Sequence, residues 1–274
     1  DTVYGNPVEI VVQAGENQTG LVEILVNGLT YIGELKQGEA RFNITGLNVT
    51  KYTVNVTYYG NDIYHSNENS TSFNVTKADL TATVVAQNVT VEQNASFAIN
   101  DVTSDFNGNV TIVIDNHVYY NGIVKSPVEI ARIIQAGNYT ANVTFYGDSN
   151  YNDKSYLVNF TVSRVDPTID VTIDDVTYPA NASATVTVSN GANGTIEVYM
   201  GTTLIGSGTI VNGQATVINL TRLSAGPKEV TVKFITSDEY NNNATETAKF
   251  NVIKGNTTVT IERNGTDVIA IVTP

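Results

Sequence analysis

The chemistry this chain offers most often is N-linked glycosylation at asparagine. Of 33 asparagines, 18 lie in Asn-x-Ser/Thr with x other than proline, about three times what random placement gives for this glycan-acceptor motif. The excess predicts an exported protein with several glycans, although alternating Asn and Thr on exposed strand faces would explain it too. The candidate sites are Asn17, Asn43, Asn48, Asn55, Asn69, Asn74, Asn88, Asn94, Asn109, Asn138, Asn142, Asn159, Asn181, Asn193, Asn219, Asn243, Asn256 and Asn264.

Groups for acid, base or nucleophilic catalysis are sparse. The two histidines, His65 and His117, are predicted to lie in exposed loops and have no nucleophile-elbow sequence beside them. Adjacent carboxylates at Asp174-Asp175 and Asp238-Glu239 would point to opposite faces of a strand. The sequence therefore predicts a protein that is not an enzyme and has no catalytic residues.

Other ligand chemistry is weakly supported. Residues 148–150 and Asp62 offer hard oxygen ligands, but calcium takes about six to eight oxygens and no Asp-x-Asp-x-Asp run supplies them. We expect no cofactor, with structural calcium as the alternative. Of the 15 tyrosines, Tyr119-Tyr120 and Tyr199 do not recur between repeats and are freer to contact a partner such as a carbohydrate.

An internal isopeptide bond is a further alternative. Lys77 and Lys254 lie near Asn74 and Asn251 in the sequence, but no buried acid that would catalyse the reaction recurs beside them.

A repeated motif ending in tyrosine divides the chain. It occupies residues 58–64, 145–151 and 234–240, and its last residues, Tyr64, Tyr151 and Tyr240, are 87 and 89 residues apart. A tyrosine at fixed register is typical of a residue that anchors a loop through its hydroxyl, so these three are predicted loop anchors. Self-similarity at this period indicates a string of domains, each large enough for its own core.

The elements around the motif are predicted to be β-strands. Apolar residues occupy every second position in residues 52–58, 139–145 and 228–234, which places one face on a core and the other in water. Asn55 and Asn142 fall on the outer face. Turns are predicted at Asn27-Gly28, Asp115-Asn116 and Met200-Gly201.

The repeat predicts domains at residues 1–76, 77–163 and 164–253, followed by residues 254–274. The fold class is all-β, and the almost linker-free junctions favour an extended rod. Residues 1–76 lack the opening strand that begins at Lys77 and Arg164 in the next two domains. Residues 258–272 predict a hairpin with an Asn-Gly turn that has no domain after it.

The uneven ends have two explanations. The first is a fragment cut between the repeats of a longer chain. The second is that residues 254–274 complete the strand-deficient end of another copy, which would produce head-to-tail filaments.

Charge and composition exclude some partners. A net charge of −13 repels nucleic acid and anionic lipid. The absence of cysteine excludes disulfides and cysteine-ligated metals. No apolar run approaches the length that spans a membrane, so no membrane insertion is expected in this segment.

The motif, the Phe-x-Val strand ends at residues 73–75, 160–162 and 250–252, and the Lys/Arg start of the next unit resemble the bacterial-type immunoglobulin (Ig)-like repeats of archaeal surface proteins. The likeness is greatest to the adhesin-like proteins of methanogens. Residues 145–151 match best, whereas the third copy has Thr236-Ser237 where glycine would stand.

The resemblance implies tandem Ig-like β-sandwich domains in an extracellular, cell-surface protein with a structural or adhesive role. The implied partner is a host or neighbouring cell surface, bound through protein or glycan. A strand-exchanged filament or surface-layer lattice is the alternative. Accessory domains of a secreted carbohydrate-active enzyme are a third, less supported one.

Overall fold

The computed structural model describes residues 1–273, and every regular element among them is a β-strand. Burial alternates along the strands as the sequence predicts. In Lys51–Tyr58, Tyr52 and Val54 are buried whereas Thr53 and Asn55 are exposed. A period of two residues places successive side chains on opposite faces, so a strand such as this one covers a core with one face only.

The first sandwich has a five-stranded sheet of order β1-β7-β6-β3-β4 and a two-stranded sheet, β2-β5. Both sheets contribute to one core: Ile24 and Val54 come from the larger sheet, and Phe42 and Ile44 from the smaller. Its strands are β1 (Thr2–Val3), β2 (Val8–Gln13), β3 (Gly20–Val26), β4 (Leu29–Leu35), β5 (Glu39–Ile44), β6 (Lys51–Tyr58) and β7 (Asn67–Thr76).

The second sandwich repeats this arrangement with one strand more. Its sheets have the orders β12-β11-β14-β15-β9 and β13-β10-β8. Phe97, Ile112 and Phe145 are fully buried, and burying a side chain of this size contributes about 1.5–3 kcal/mol. The strands are β8 (Thr83–Ala86), β9 (Val89–Thr90), β10 (Ala95–Asn100), β11 (Asn109–Ile114), β12 (His117–Ile123), β13 (Val128–Ile130), β14 (Gly137–Phe145) and β15 (Lys154–Ser163).

The third sandwich has the same plan as the second, with sheets β17-β23-β22-β19-β20 and β16-β18-β21. Ile196, Val232 and Phe234 from the larger sheet meet Val186 and Ile218 from the smaller one in a single core. The strands are β16 (Ile169–Ile173), β17 (Val176–Thr177), β18 (Ser183–Val188), β19 (Gly194–Met200), β20 (Thr203–Ile210), β21 (Thr216–Asn219), β22 (Gly226–Thr236) and β23 (Ala244–Ile253).

A separate two-stranded hairpin follows, formed by β24 (Thr258–Asn264) and β25 (Asp267–Thr273). The predicted hairpin is therefore present, but its turn is Gly265-Thr266 rather than Asn264-Gly265, because Asn264 pairs with Asp267. Gly265 has a φ of 65°, the left-handed conformation that favours glycine at the first position of such a turn.

The other predicted turns follow the same chemistry. Asn27-Gly28 and Asp115-Asn116 each have positive φ at both residues, as a type I′ hairpin requires. Met200-Gly201 is shifted by one residue, since Met200 still pairs with Thr203.

By compactness the described chain forms two units. One contains Asp1–Gln87, Ala95–Ala131 and Tyr139–Phe160, and the other contains Asn88–Asn94, Arg132–Asn138 and the residues from Thr161 onward. The domain bounds inferred from the repeat, residues 1–76, 77–163 and 164–253, stay a prediction.

Candidate functional site at the repeat junctions

The repeated motif forms the same hydrogen-bonded loop three times. An oxygen of Asn61 accepts the backbone N–H groups of the residues two and three positions later, both at 2.9 Å. Asp148 does so at 2.8 and 3.0 Å, and Asp238 at 3.0 and 2.7 Å. This is an Asx turn, for which asparagine and aspartate are suited because their short side chains reach the nearby backbone.

Backbone pairing shows which loop positions correspond. Ala78 forms a bridge with Tyr151, and Val165, 87 residues later, forms the same bridge with Asn241. In the third copy the position of Tyr151 is thus taken by Asn241, and the alignment of Tyr240 with Tyr151 is off by one residue. The sequence alone does not show this shift. Tyr240 directly precedes Asn241, so the spacing of 89 residues between Tyr151 and Tyr240 resembles the first spacing of 87.

In the first unit, Tyr151 belongs to a cluster that links the first two sandwiches. Tyr151 is 5% exposed, and its ring meets the ring of Tyr4 edge-on, with 5.5 Å between centroids. Both hydroxyls donate to Asp105, Tyr151 at 2.5 Å and Tyr4 at 2.7 Å. The side-chain oxygen of Asn150 also accepts the N–H of Val49 at 3.3 Å. Residues before β2 and after β5 are therefore held against the loops of the second sandwich.

The second unit has a junction at the corresponding place with different side chains. The Tyr240 hydroxyl donates to Glu92 at 3.3 Å, and the Gln135 amide donates to Glu239 at 3.1 Å. Asn241 is 1% exposed and donates its amide to Asp238, while its side-chain oxygen has no hydrogen-bond partner among the described residues. The backbone contact recurs, whereas the side chains around it differ.

Electrostatics at these loops favours ionised aspartates. Hydrogen bonds from Tyr151 and then Tyr4 hold the pKa of Asp105 below its usual value. Burial acts to raise the pKa of Asp148 and Asp238, but the N–H groups that each carboxylate accepts outweigh it and the pKa of both is lowered. Burial, followed by the hydrogen bond to Asp105, raises the pKa of Tyr151 well above that of a free tyrosine.

These shifts predict a loss of stability in acid. A carboxyl group whose folded pKa is depressed contributes stability that is present above its unfolded pKa of about 3.9 and is lost as the pH falls through the folded value. We expect the free energy of unfolding from denaturant titration to fall as the pH drops below about 4. The triple variant Asp105→Asn, Asp148→Asn, Asp238→Asn should show a flatter dependence, and an equal slope in both proteins would contradict the assignment.

The predicted loop anchors lie in three different environments. Tyr151 is buried and bonded to Asp105, and Tyr240 contacts Glu92. Tyr64 is 53% exposed, and in its loop the hydrogen bonds are made by Asn61. Their common role as anchors stays a prediction, while the shared feature of the loops is the Asx residue.

The candidate glycosylation sites lie at the surface. Asn193 is half-buried, and the other 17 sequon asparagines are exposed, including Asn55 and Asn142 on outer strand faces. Glycan attaches to the side-chain nitrogen, and that nitrogen of Asn193 donates to the carbonyl of Gly191 at 3.4 Å. The oxygen of Asn193 also accepts the N–H of Asn212 at 3.0 Å, so this amide is held inside its loop.

The candidate acid–base groups do not converge. His65 lies in an exposed loop, and His117 is exposed at the start of β12, not in a loop, with its ring against Tyr119. Asp175 accepts the N–H of Asn251 at 2.6 Å. Asp238 and Glu239 have separate hydrogen-bond partners, Asn241 and Gln135 respectively.

Asp148, one of the residues considered for calcium, already accepts hydrogen bonds with both carboxylate oxygens. One carboxylate oxygen of Asp148 accepts the N–H of Asn150 and of Tyr151, and the other accepts the N–H of Asn107 at 3.0 Å. Among the described residues no three His, Cys, Asp or Glu side chains converge as metal ligands. Calcium takes about six to eight oxygens, and the expected absence of a cofactor, with structural calcium as the alternative, stays a prediction.

The non-repeated tyrosines also have internal partners. The Tyr120 hydroxyl donates to the carbonyl of Ile123 at 2.7 Å, and that of Tyr199 donates to Glu197 at 2.8 Å. Lys233 lies 4.9 Å from the centre of the Tyr199 ring, a cation–π distance. Both tyrosines therefore support their own sheets.

A clamp next to the isopeptide candidates recurs in each copy. Asp1 accepts the N–H of Asn74 at 2.7 Å, Asn88 that of Thr161 at 2.8 Å, and Asp175 that of Asn251 at 2.6 Å. Asp1, Asn88 and Asp175 precede β1, β9 and β17, which pair in parallel with the last strands of their sandwiches. The clamp residues are exposed, unlike the buried acid that isopeptide formation needs.

The sandwiches define the class: the chain is a tandem array of Ig-like β-sandwiches. No protein-family model matches it, and no curated protein matches it in sequence. Solved structures that it resembles include a 1.5-MDa bacterial ice-binding adhesin studied for host cell surface retention (13% identity, TM-score 0.34, covering 91% of each chain). Others are a Ca²⁺-stabilised adhesin of an Antarctic bacterium (14%, 0.35, 96% of this chain and 73% of that one) and the I9–I11 tandem of titin (14%, 0.29, 93% and 95%).

Because these TM-scores are low, the role of the chain is inferred from its own residues and not from these structures. The sequence indicates some of the junction residues and not others. Asp148 and Asp238 are visible in the repeated motif, whereas Tyr4 and Asp105 occur once and have no sequence signature. None of the described residues belongs to a helix that would be long and apolar enough to span a membrane.

Proposed function

We propose that this chain is an extracellular spacer in a cell-surface protein, with Ig-like sandwiches that hold an adhesive region away from the cell. The observation that carries the proposal is the repeated junction. In each compact unit the linker is hydrogen-bonded on both sides to the closing loop: Ala78 with Asn150 and Asn152, and Val165 with Tyr240 and Asn242. A linker held in this way limits rotation between neighbours, as a spacer requires.

Removing one hydroxyl at the first junction tests the spacer role. Tyr4→Phe deletes the hydrogen bond to Asp105 and leaves the second sandwich intact, so we expect a broader distribution of particle lengths in small-angle X-ray scattering. Tyr31→Phe is the matched control, because the Tyr31 hydroxyl has no hydrogen-bond partner among the described residues. Identical length distributions for both variants and the wild type would count against a junction that limits rotation.

The extracellular location is supported by the surface positions of the sequons. A glycan requires an accessible amide, and 17 of the 18 candidate asparagines are exposed. Glycopeptide mass spectrometry on native material should find glycan at Asn55 and Asn142 and none at Asn193. Unmodified asparagine at all 18 positions in native protein would refute this part of the proposal.

The partner of the adhesive region is a host or neighbouring cell surface, bound through protein or glycan. The proposed assignment to adhesin-like proteins of archaeal type rests on the repeat motif alone. The proposed function includes no enzymatic activity and no cofactor.

A second candidate function, the subunit of a head-to-tail filament, is favoured by the hairpin β24–β25. Its apolar side chains include Val259, 61% exposed, and Ile261, 71% exposed. An isolated two-stranded hairpin is only marginally stable in water. Sedimentation velocity across a concentration series tests this candidate, which requires assemblies that grow with concentration.

A further inference from the structure

The sequon residue Asn109 lies next to an exposed aromatic ring on the outer face of the second sandwich. Val110 pairs with Phe145 in the ladder between β11 and β14, and both are fully buried. One step further, the Tyr146 N–H donates to the carbonyl of Asn109 at 2.8 Å. Since successive side chains alternate between faces, Asn109 and Tyr146 both point outward. Facing residues of an antiparallel pair have Cβ atoms about 4.5–5.5 Å apart, so the two side chains are direct neighbours.

Neither of these side chains is held by the protein itself. Tyr146 is 48% exposed, and among the described residues its hydroxyl has no hydrogen-bond partner and its ring has no aromatic contact. The side-chain amide of Asn109 likewise makes no hydrogen bond within the described part of the chain. Asn193 differs, because its amide donates to the carbonyl of Gly191. The nitrogen that carries a glycan is therefore accessible at Asn109, beside an uncovered ring.

The two residues line a groove of about 500 Å³, which we call the Asn109 groove. Its lining also includes Asn107, Asn121 and Thr111. Binding clefts of roughly 300–1,000 Å³ combine apolar surface with a few polar groups that fix the orientation of a ligand. A sugar ring has both kinds of surface, because its C–H groups pack on an aromatic face and its hydroxyls form hydrogen bonds with amides. The lining of this groove is therefore suited to a sugar.

Charge favours a neutral sugar in the Asn109 groove. Asp148 is part of the lining, whereas no Lys or Arg is among the described residues that line it. The net charge of −13 adds to the repulsion of anions. An acidic sugar would therefore be disfavoured, and a neutral one meets no opposing charge.

The corresponding pairs in the other copies have different residues. In the first copy, the Tyr59 N–H donates to the carbonyl of Leu21 at 3.1 Å. The Tyr59 hydroxyl is also held, since it donates to Glu23 at 2.7 Å. In the third copy, Thr195 pairs with Ile235. Neither pair contains a sequon asparagine, so the combination of an acceptor asparagine with a facing ring is specific to the second copy.

We propose that a glycan attached to Asn109 lies in the Asn109 groove and packs its first, neutral sugar on the ring of Tyr146. The inference rests on the glycosylation that is part of the proposed function, and it names the contact that one glycan makes. In the attachment, the amide nitrogen of Asn109 bonds to the anomeric carbon of a phosphate-activated sugar donor and loses one proton. The phosphate leaves with the electron pair of the bond that breaks.

The contact lies at the start of the loop that forms the first junction. Tyr146 directly precedes Gly147, whose N–H donates to Asp153 at 2.7 Å. Further along the same loop, Asn150 accepts the N–H of Val49. A sugar that covers the half-exposed ring buries apolar surface and so stabilises the folded position of Tyr146. The glycan thereby supports the loop that holds two neighbouring sandwiches together.

A double-mutant cycle measures the contact. The chain is secreted from cells whose N-glycans begin with N-acetylglucosamine, and an endoglycosidase trims each glycan to that neutral sugar. Wild type, Tyr146→Ala, Asn109→Gln and the double variant are unfolded in denaturant, and the same four proteins made without glycan are the reference. Tyr146→Phe is the matched control because it keeps the ring. A second cycle with Asn142→Gln removes a sequon on the same sheet face, where the cross-strand neighbour is Val113 and not a ring.

In the glycosylated chain, we expect Tyr146→Ala to raise the unfolding equilibrium constant at least about threefold more with Asn109 than with glutamine at that position. Tyr146→Phe should behave as the wild type, and the Asn142 cycle should show no coupling. Equal effects with and without the Asn109 glycan, or the same coupling in the unglycosylated chain, would overturn the proposal. Glycopeptide mass spectrometry of native material separates the two levels. Unmodified Asn109 with glycan at other sequons refutes this contact alone, and unmodified asparagine at all 18 sequons refutes the glycosylation as well.

Discussion

Replacing Asp238 with alanine is expected to lower the free energy of unfolding of the third sandwich by about 2–3 kcal/mol. The carboxylate accepts four N–H groups, from the backbone of Asn193, Tyr240 and Asn241 and from the Asn241 side chain. Charge-assisted hydrogen bonds each contribute about 1.5–3 kcal/mol, and water recovers part of this for the donors nearest the surface. Water does not replace the hydrogen bond that the Asn241 side chain loses, because this side chain is buried.

The amide variant separates geometry from charge. Asn61 makes the same turn in the first copy with a neutral oxygen, so Asp238→Asn should keep the two backbone hydrogen bonds of the turn. It loses the acceptor for the Asn193 N–H and for the Asn241 side chain, so we expect a loss of stability that is smaller than that of Asp238→Ala, together with a weaker pH dependence. Calorimetric unfolding of the wild type, Asp238→Ala and Asp238→Asn at pH 7 measures the difference. If the alanine and asparagine variants unfolded at the same temperature, the Asx turn would not be what stabilises this loop.

The all-β sandwich fold could be predicted from the sequence because its signal is periodic. Alternation in residues 52–58, 139–145 and 228–234 marks strands that the structure places at the centre of each larger sheet, as β6, β14 and β22. Tight turns with Asn and Gly have chemistry that a sequence displays directly. These features are local, so no knowledge of distant contacts was needed to find them.

The junction could be predicted only in part, because its residues are distant in sequence. Tyr4 and Asp105 are 101 positions apart and occur once, so neither periodicity nor repetition points to them. The one-residue displacement of Tyr240 from the Tyr151 position is the same problem on a smaller scale. Residue identity suggested an alignment, but backbone pairing of Val165 with Asn241 decides it.

The differences between copies also have a physical pattern. The recurring parts all involve the backbone. The linker bridge occurs at two junctions, and in the Asx turn and the clamp, which occur in all three copies, an Asn or Asp side-chain oxygen accepts a backbone N–H. The side chains placed on this framework vary. One junction has the cluster of Tyr151 with Asp105, and the other has the pairs Tyr240–Glu92 and Gln135–Glu239. The backbone scheme thus determines where neighbours meet, and the side chains determine how firmly each junction is held.

A methyl group added at Gly194 is expected to destabilise the third sandwich by about 3 kcal/mol, since overpacking of a filled core costs about 1–3 kcal/mol and more where backbone must move. The new Cβ would overlap the carbonyl oxygen of Ile235 and lie 2.6 Å from the ring of Phe234, which is fully buried. Gly20 begins β3 and Gly108 directly precedes β11, the strands that correspond to β19 in the other copies. A Cβ at Gly108 would meet the carbonyl of Tyr146 in the same way.

A matched control distinguishes this contact from the general cost of replacing glycine. Gly201 has a φ of 60° in an open turn with no atom within 4 Å of its Cβ position, and asparagine tolerates that conformation. Gly201→Asn should therefore have a free energy of unfolding within about 1 kcal/mol of that of the wild type. In calorimetry, the third sandwich of Gly194→Ala should unfold at a clearly lower temperature than that of the wild type. Equal effects would mean that the strand can shift away from Ile235, and that the glycine shared by the three copies is not required by close packing.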